Sequence, residues 1–224
     1  MDLVGARGAN LCDRLTAGTA PLGSDWTRYY DAAGDEPRRT LLYALGRFDE
    51  EGARERLAVD LGCGTGRDTA ELLRRGWRVL AIDGEAEAIE RLRARRDLLT
   101  EGGDRLRTRI EPFDEAEWPE ADLVNSSFAL PFCPPGAFPA VWARIGASLR
   151  PGGRFAGQLF GDRDEWSAEQ DMTFHTRGQV EAMLESLAVE HLEEIEEDGS
   201  TATGKKKHWH VFHVVARKRP RSER

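Results

Sequence analysis

The chain has 224 residues, 40% hydrophobic and 32% charged, with 40 acidic against 32 basic side chains and a formal charge of −8. That length suits one sizeable domain or two small ones, and the composition is that of a globular core needing neither disulfide nor structural metal. The acidic balance argues against a wholly basic nucleic-acid surface. Cys12, Cys63 and Cys133 form no CxxC pair and no zinc spacing, so free thiols in a reducing compartment are expected, with no metal. No run approaches the ~18 apolar residues of a membrane span. The N-terminus lacks the apolar stretch of a signal peptide. The expectation is a cytoplasmic protein without a membrane or nucleic-acid partner.

Residues 1–23, rich in Gly, Ala and Thr and without period, read as a mobile arm. Residues 24–218 read as a single domain. Its first part, 24–50, is a helical cover, with Ser24 or Asp25 as N-cap before Trp26, Tyr29 and Tyr30. There Leu41, Ala44, Leu45 and Phe48 are spaced like the buried stripe of a helix. From Leu57 strand-like and helix-like runs alternate. LAVDLG (57–62) is a strand, RDTAELLRRG (67–76) a helix stopped by Gly76, and WRVLAID (77–83) the second strand. Ala88, Ile89, Leu92 and Leu99 fit one helix face.

RLRTRIEPF (105–113) and ADLVNSSFAL (121–130) are the third and fourth strands. Phe138, Val141, Trp142, Ile145 and Leu149 mark a further helix, and residues 152–161 the fifth strand. Thr176 with Gln179 makes a capping box before Val180, Met183, Leu184 and Leu187. Two consecutive strand-like runs close the domain, and residues 219–224 read as a frayed basic tail. The pattern predicts a doubly wound, Rossmann-like α/β domain with a seven-stranded, mostly parallel sheet and an antiparallel C-terminal hairpin.

Asp60-Leu61-Gly62-Cys63-Gly64-Thr65-Gly66 carries the strongest chemical signal: a strand running through a glycine-rich turn into a helix. Such a turn admits a ligand against the backbone and aims helix-start N–H groups at it. The second strand ends in Asp83, placed to accept hydrogen bonds from ribose hydroxyls. The glycines depart from the GxGxxG dinucleotide spacing. Asp60, two residues before the first of them, suits a cationic nucleoside better than a pyrophosphate. A nicotinamide-dependent oxidoreductase and a non-catalytic cofactor-binding module are the competing readings.

These pieces, with LAID (80–83), Asp114, ADLVNSSFALPF (121–132) and LRPGGRFAGQLFG (149–161), resemble the class I S-adenosylmethionine-dependent methyltransferases. Within them the likeness is nearest the small bacterial tellurite-resistance-type enzymes. The resemblance covers about residues 50–217 and implies S-adenosylmethionine as cofactor and S-adenosylhomocysteine as product. It implies that Gly62, Gly64 and Gly66 pass under the methionine moiety, that Asp60 holds its amino group, and that Asp83 takes the ribose. Phe113 and Asp114 would sit at the adenine and Asn125 beside the methyl group.

An acceptor, small molecule or peptide, would lie beyond the strand ends. Trp26, Tyr29 and Tyr30 would form a lid, with Gln158, Phe160 and Trp209 beside the substrate. His210, His208 and Arg163 are the candidate catalytic groups, with His175 and Asp162 as lesser candidate bases.

Overall fold

The computed structural model describes residues 26–52, 54–101 and 103–220. The expected arm over 1–23, the cap at Ser24 or Asp25, and Cys12 lie outside them. Two short N-terminal helices, α1 (Trp26–Ala32) and α2 (Arg39–Glu50), precede an alternating series. It runs β1 (Leu57–Leu61), α3 (Arg67–Arg74), β2 (Arg78–Asp83), α4 (Ala86–Ala94), α5 (Arg96–Glu101), β3 (Leu106–Ile110) and β4 (Ala121–Ser126). Then come α6 (Phe138–Ser148), β5 (Leu149–Gly161), β6 (Phe174–His175), α7 (Arg177–Leu184), β7 (Leu187–Ser200) and β8 (Lys206–Lys218).

The sheet order is β3-β2-β1-β4-β5-β8-β7, parallel from β3 to β5 and antiparallel through the last two strands. The seven expected strands are all present in that path. The difference is an eighth, the two-residue β6, which adds to β5. β1 shows why the sheet is covered on both sides. Ala58 packs toward Leu41, Leu45, Phe48 and Leu72, whereas its neighbour Val59 packs toward Phe138, Val141, Ile145 and Phe155. Alternate side chains of a strand point to opposite faces, so adjacent apolar residues such as Ala58 and Val59 demand helices on both.

The α2 stripe Leu41, Ala44, Leu45 and Phe48 is fully buried, as its spacing predicts. Gly76 ends the α3 turn with φ +82°, and both halves of the Thr176–Gln179 capping box form. The expected single helix through Leu99 is instead two. Arg95 adopts an extended conformation between α4 and α5, where its guanidinium pairs with Asp97. Among the described residues, no helix is long and apolar enough to cross a membrane.

Candidate cofactor and acceptor site

The carboxyl ends of β1, β2 and β4 and the segment after β3 open onto one cavity of ≈ 660 Å³, covered by α1. Its floor is the glycine turn. Gly62, Gly64 and Gly66 all have positive φ (+68°, +53° and +84°), a region L side chains rarely adopt. The three are not equivalent. A Cβ on Gly62 would collide with the Ala129 methyl, and one on Gly66 would stand 2.9 Å from Leu92. At Gly64 the nearest atom is Tyr30 Cε1, 3.9 Å away. Gly64 therefore keeps the backbone open to a ligand. Gly66, which does not line the cavity, serves to seat the turn on α4, a correction to its expected place beneath the ligand.

Asp83 stands at the end of β2, its carboxylate accepting the Gly64 N–H at 2.8 Å and the Glu85 N–H at 2.9 Å. Burial raises its pKa even though those N–H groups favour the ionised form. Each oxygen accepts one N–H and retains further accepting capacity, and Asp83 lines the cavity, which suits a vicinal diol. Phe113 and Asp114 line the same end, beyond β3.

At the other end a pair of acids is buried together. Asp60 accepts from Thr69 Oγ1 at 2.6 Å and from Asn125 Nδ2 at 2.9 Å. The same Asn125 nitrogen donates to Asp68 at 3.0 Å, and Asp68 also accepts from Ser127 Oγ and the Arg38 N–H. Burial, and then the adjacent Asp68 charge, push the Asp60 carboxyl up to about 7. Two like charges in so dry a place favour an added cation. An α-ammonium fits that requirement and a pyrophosphate does not, so the residues present suit S-adenosylmethionine.

Asn125 is fully buried and does not line the cavity. It bridges the two acids instead of flanking the ligand. Among the described residues its Oδ1 has no partner. Cys63 lines the cavity, but burial pushes its thiol well above the ordinary range, so it is a neutral filler rather than a nucleophile.

Trp26, Tyr29 and Tyr30 project from α1 into the cavity, with Trp26 edge-on to Phe132 at 5.4 Å. The helix is clasped to α4 by Thr27–Glu87 and Asp31–Arg91. Three expected acceptor contacts lie elsewhere. Gln158 is buried behind the wall, where its Oε1 accepts the Phe128 N–H and its Nε2 donates to Thr40. It thereby holds Phe128 at φ +55°, a conformation unfavourable for a bulky residue. Phe160 and Trp209 are fully buried in an aromatic cluster with Trp166 that encloses the Lys207 ammonium against Asp164.

The candidate catalytic groups are also elsewhere. His210, His208 and Arg163 do not line the cavity. His210 is fully buried. Its Nδ1 accepts the Arg163 N–H at 3.1 Å, which leaves Nε2 to donate to Glu194 at 2.8 Å. Both nitrogens are thus engaged, and no lone pair remains for a substrate proton. Arg163 pairs with Glu194 and Glu196, and His208 pairs with Asp198 and Glu196. Asp162 stands beside His210 in this network. His175, pushed down to about 4 by burial, is a neutral ring packed on Phe138.

Sequence reasoning missed Arg38, Arg67, Asp68, Ser127, Phe128 and Phe132, all of which line the cavity. Asp68, the second residue after the glycine turn, was within reach of the sequence. Arg38 and Phe128, 90 positions apart, become neighbours only in the fold, with the Arg38 guanidinium 4.8 Å above the Phe128 ring.

The sheet is thus doubly wound, and the cavity at its strand ends has a buried acid pair at one end and Asp83 at the other. Residues 58–153, under half of the chain, match the methyltransferase-domain family model. No curated protein matches the sequence. Among solved structures the chain is similar to TehB from Haemophilus influenzae (15% identity, TM-score 0.68, covering 87% of this chain), and it spans only 66% of that protein's length. It is also similar to the Burkholderia thailandensis 1,6-didemethyltoxoflavin-N1-methyltransferase with its substrate and S-adenosylhomocysteine bound (24% identity, TM-score 0.57, 81% of this chain and 79% of that one). A third is the magnesium protoporphyrin IX methyltransferase of Synechocystis with S-adenosylhomocysteine (13% identity, TM-score 0.64, 86% and 94%).

Proposed function

We propose that the protein transfers the methyl group of S-adenosylmethionine, by in-line displacement, to a small-molecule acceptor. The observation that carries this reading is continuity. One cavity runs from Asp83, Phe113 and Asp114, past the Asp60–Asp68 pair, to an aromatic wall of Trp26, Tyr29, Phe128 and Phe132. Its ≈ 660 Å³ lies within the ~300–1,000 Å³ typical of small-molecule sites. Bound S-adenosylmethionine supplies a methyl group already activated by its sulfonium.

The protein's part is to bind, align and exclude water. Asp83 would hold the ribose hydroxyls, Asp60 and Asp68 the ammonium, and Phe113 with Asp114 the adenine. The aromatic rings of α1 would face the positive charge and close the site over an acceptor, which favours a small molecule over a peptide. The compounds for which two similar enzymes are named, 1,6-didemethyltoxoflavin and magnesium protoporphyrin IX, are small molecules as well. No histidine lines the cavity, so the reading calls for an acceptor that gives up its proton easily or arrives without one.

The test is calorimetric titration of folded, ligand-free protein with S-adenosylmethionine and separately with NADH, followed by turnover over an acceptor panel. Micromolar binding of the former alone is expected. Binding of NADH instead would establish the oxidoreductase reading, and cofactor binding with no turnover on any acceptor the non-catalytic one.

A further inference from the structure

Among the described residues, Phe128 is the one non-glycine residue with a positive φ, +55°. A left-handed backbone crowds the Cβ, so a bulky residue keeps it only where its surroundings enforce it, and such residues gather at functional sites. Glycine would adopt it freely. Phe128 stands just beyond β4 and lines the aromatic end of the cavity with Trp26, Tyr29 and Phe132. The enforcement comes from β5. Gln158, 1% exposed, accepts the Phe128 N–H on Oε1 at 3.0 Å. Its Nε2 donates to Thr40 Oγ1 at 2.9 Å and stands 3.4 Å from His213 Nδ1. The amide fits in this one orientation, because its reverse would set an NH2 group against the Phe128 N–H. A leucine would fill the same space without the desolvation that a buried amide incurs. What the amide adds is a grip on the strained residue from α2 and β8 at once.

Resting on the methyltransferase reading, we infer that Gln158 is a positioning residue for acceptor selection, which through the Phe128 backbone holds the aromatic end of the cavity in shape for a planar aromatic acceptor. Gln158 does not touch the acceptor and acts only through Phe128. Phe160 and His213 stand edge-on to the Phe128 ring at 6.3 and 5.9 Å and fix its tilt. In the same wall Trp26 meets Phe132 edge to face at 5.4 Å. Rings held at fixed tilts discriminate by shape: a flat π system makes face and edge contacts with them that a puckered ring of the same carbon count does not.

The experiment compares wild type, Gln158→Leu, Phe128→Gly and the double variant, each shown to be folded by thermal melting. The probes are S-adenosylhomocysteine and, on protein saturated with it, 2-naphthol against decahydro-2-naphthol, which share a skeleton and a hydroxyl and differ in planarity. Wild type is expected to bind 2-naphthol at least about tenfold more tightly than its saturated counterpart. Phe128→Gly, whose backbone suits the left-handed conformation, should lose most of that preference, and Gln158→Leu should reduce it at least about threefold. In the double variant the Gln158→Leu change should have no further effect, because the ring through which it acts is gone. Affinity for S-adenosylhomocysteine should stay within about twofold throughout. Thr40→Val, which removes the anchor of the amide on α2, takes the place of Gln158→Leu with the same expectations should that variant not fold.

Three results would overturn the inference. The first is wild type that binds the two naphthols within about twofold of each other. The second is a preference in Gln158→Leu equal to that of wild type. The third is a Gln158→Leu loss that persists in full on the Phe128→Gly background, or that falls equally on S-adenosylhomocysteine and 2-naphthol, either of which marks a purely structural effect. Failure of wild type to bind S-adenosylhomocysteine would instead sink the methyltransferase reading, while the two naphthols on the cofactor-free protein still read the wall that Gln158 and Phe128 form.

Discussion

The cavity and the C-terminal hairpin both gather acids and bases, and they use them in opposite ways. Around the hairpin charges meet their complements: His210 with Glu194, Arg163 with Glu194 and Glu196, His208 with Asp198, Lys207 with Asp164. In the cavity like charges are set together, Asp60 beside Asp68 and Arg38 beside Arg67. Paired charges are satisfied and stabilise a fold. Crowded like charges, here held by neutral hydrogen bonds, gain further from a bound counter-charge. Residue types that commonly do chemistry therefore pointed to the hairpin, and residue pairs that leave electrostatic work undone point to the cavity.

The contrast is sharpest for Asp83→Ala. Losing a carboxylate placed for two ribose hydroxyls, and the anchor for the Gly64 and Glu85 N–H groups, should weaken S-adenosylhomocysteine binding by ~3 kcal/mol, or ~100-fold. Calorimetry on folded variant protein checks it, and an unchanged affinity would remove Asp83 from the site.

Asp60 provides a pH signature. An aspartate in the unfolded chain titrates near ~4, and in the fold this carboxyl sits at about 7. Below ~4 it is protonated in both states. As pH rises toward 7 the unfolded chain ionises first, so cofactor-free stability should fall across that window and level off above it. Melting between pH 5 and 7.5 should show this slope reduced in Asp60→Asn. An ammonium seated on the pair favours the ionised form, so cofactor binding near pH 6.5 should release a proton. That release is read as a binding enthalpy that changes with the buffer's ionisation enthalpy, and an enthalpy independent of buffer contradicts it.

In the hairpin the expected effects reverse. His210→Ala should leave S-adenosylhomocysteine affinity within about twofold and lower stability by ~1–3 kcal/mol, because Glu194 and the Arg163 N–H lose a buried partner. A large loss of affinity with little loss of stability would return His210 to the site. His208→Ala should change least. Its ion pairs are exposed, and the melting temperature should stay within about 2 °C of wild type.

Much of the molecule was legible in the chain because local rules specify it. Hydrophobic period gave the seven strands and the α2 stripe. Thr176–Gln179 announced α7. The glycine turn flanked by Asp60 and ending opposite Asp83 announced a nucleoside site, since positive φ and close approach restrict which residues can stand there. The errors also have local causes. The helix over 86–101 breaks at Arg95, where no glycine or proline signals it. Gln158 and Trp209 lie on strands where residue type alone does not tell cavity from core.

By itself, then, the sequence determined the order of elements, the two-faced sheet and the acids at the strand ends, because each rests on residues near one another along the chain. Only the tertiary structure decided which charges are already neutralised and which are not. Asn125 reaches Asp60 across 65 positions, His210 reaches Glu194 across the hairpin, and Arg38 meets Phe128 across 90 positions. A charge's work is set by its neighbours in space and by how much water they leave it, and neither quantity is written in the order of residues.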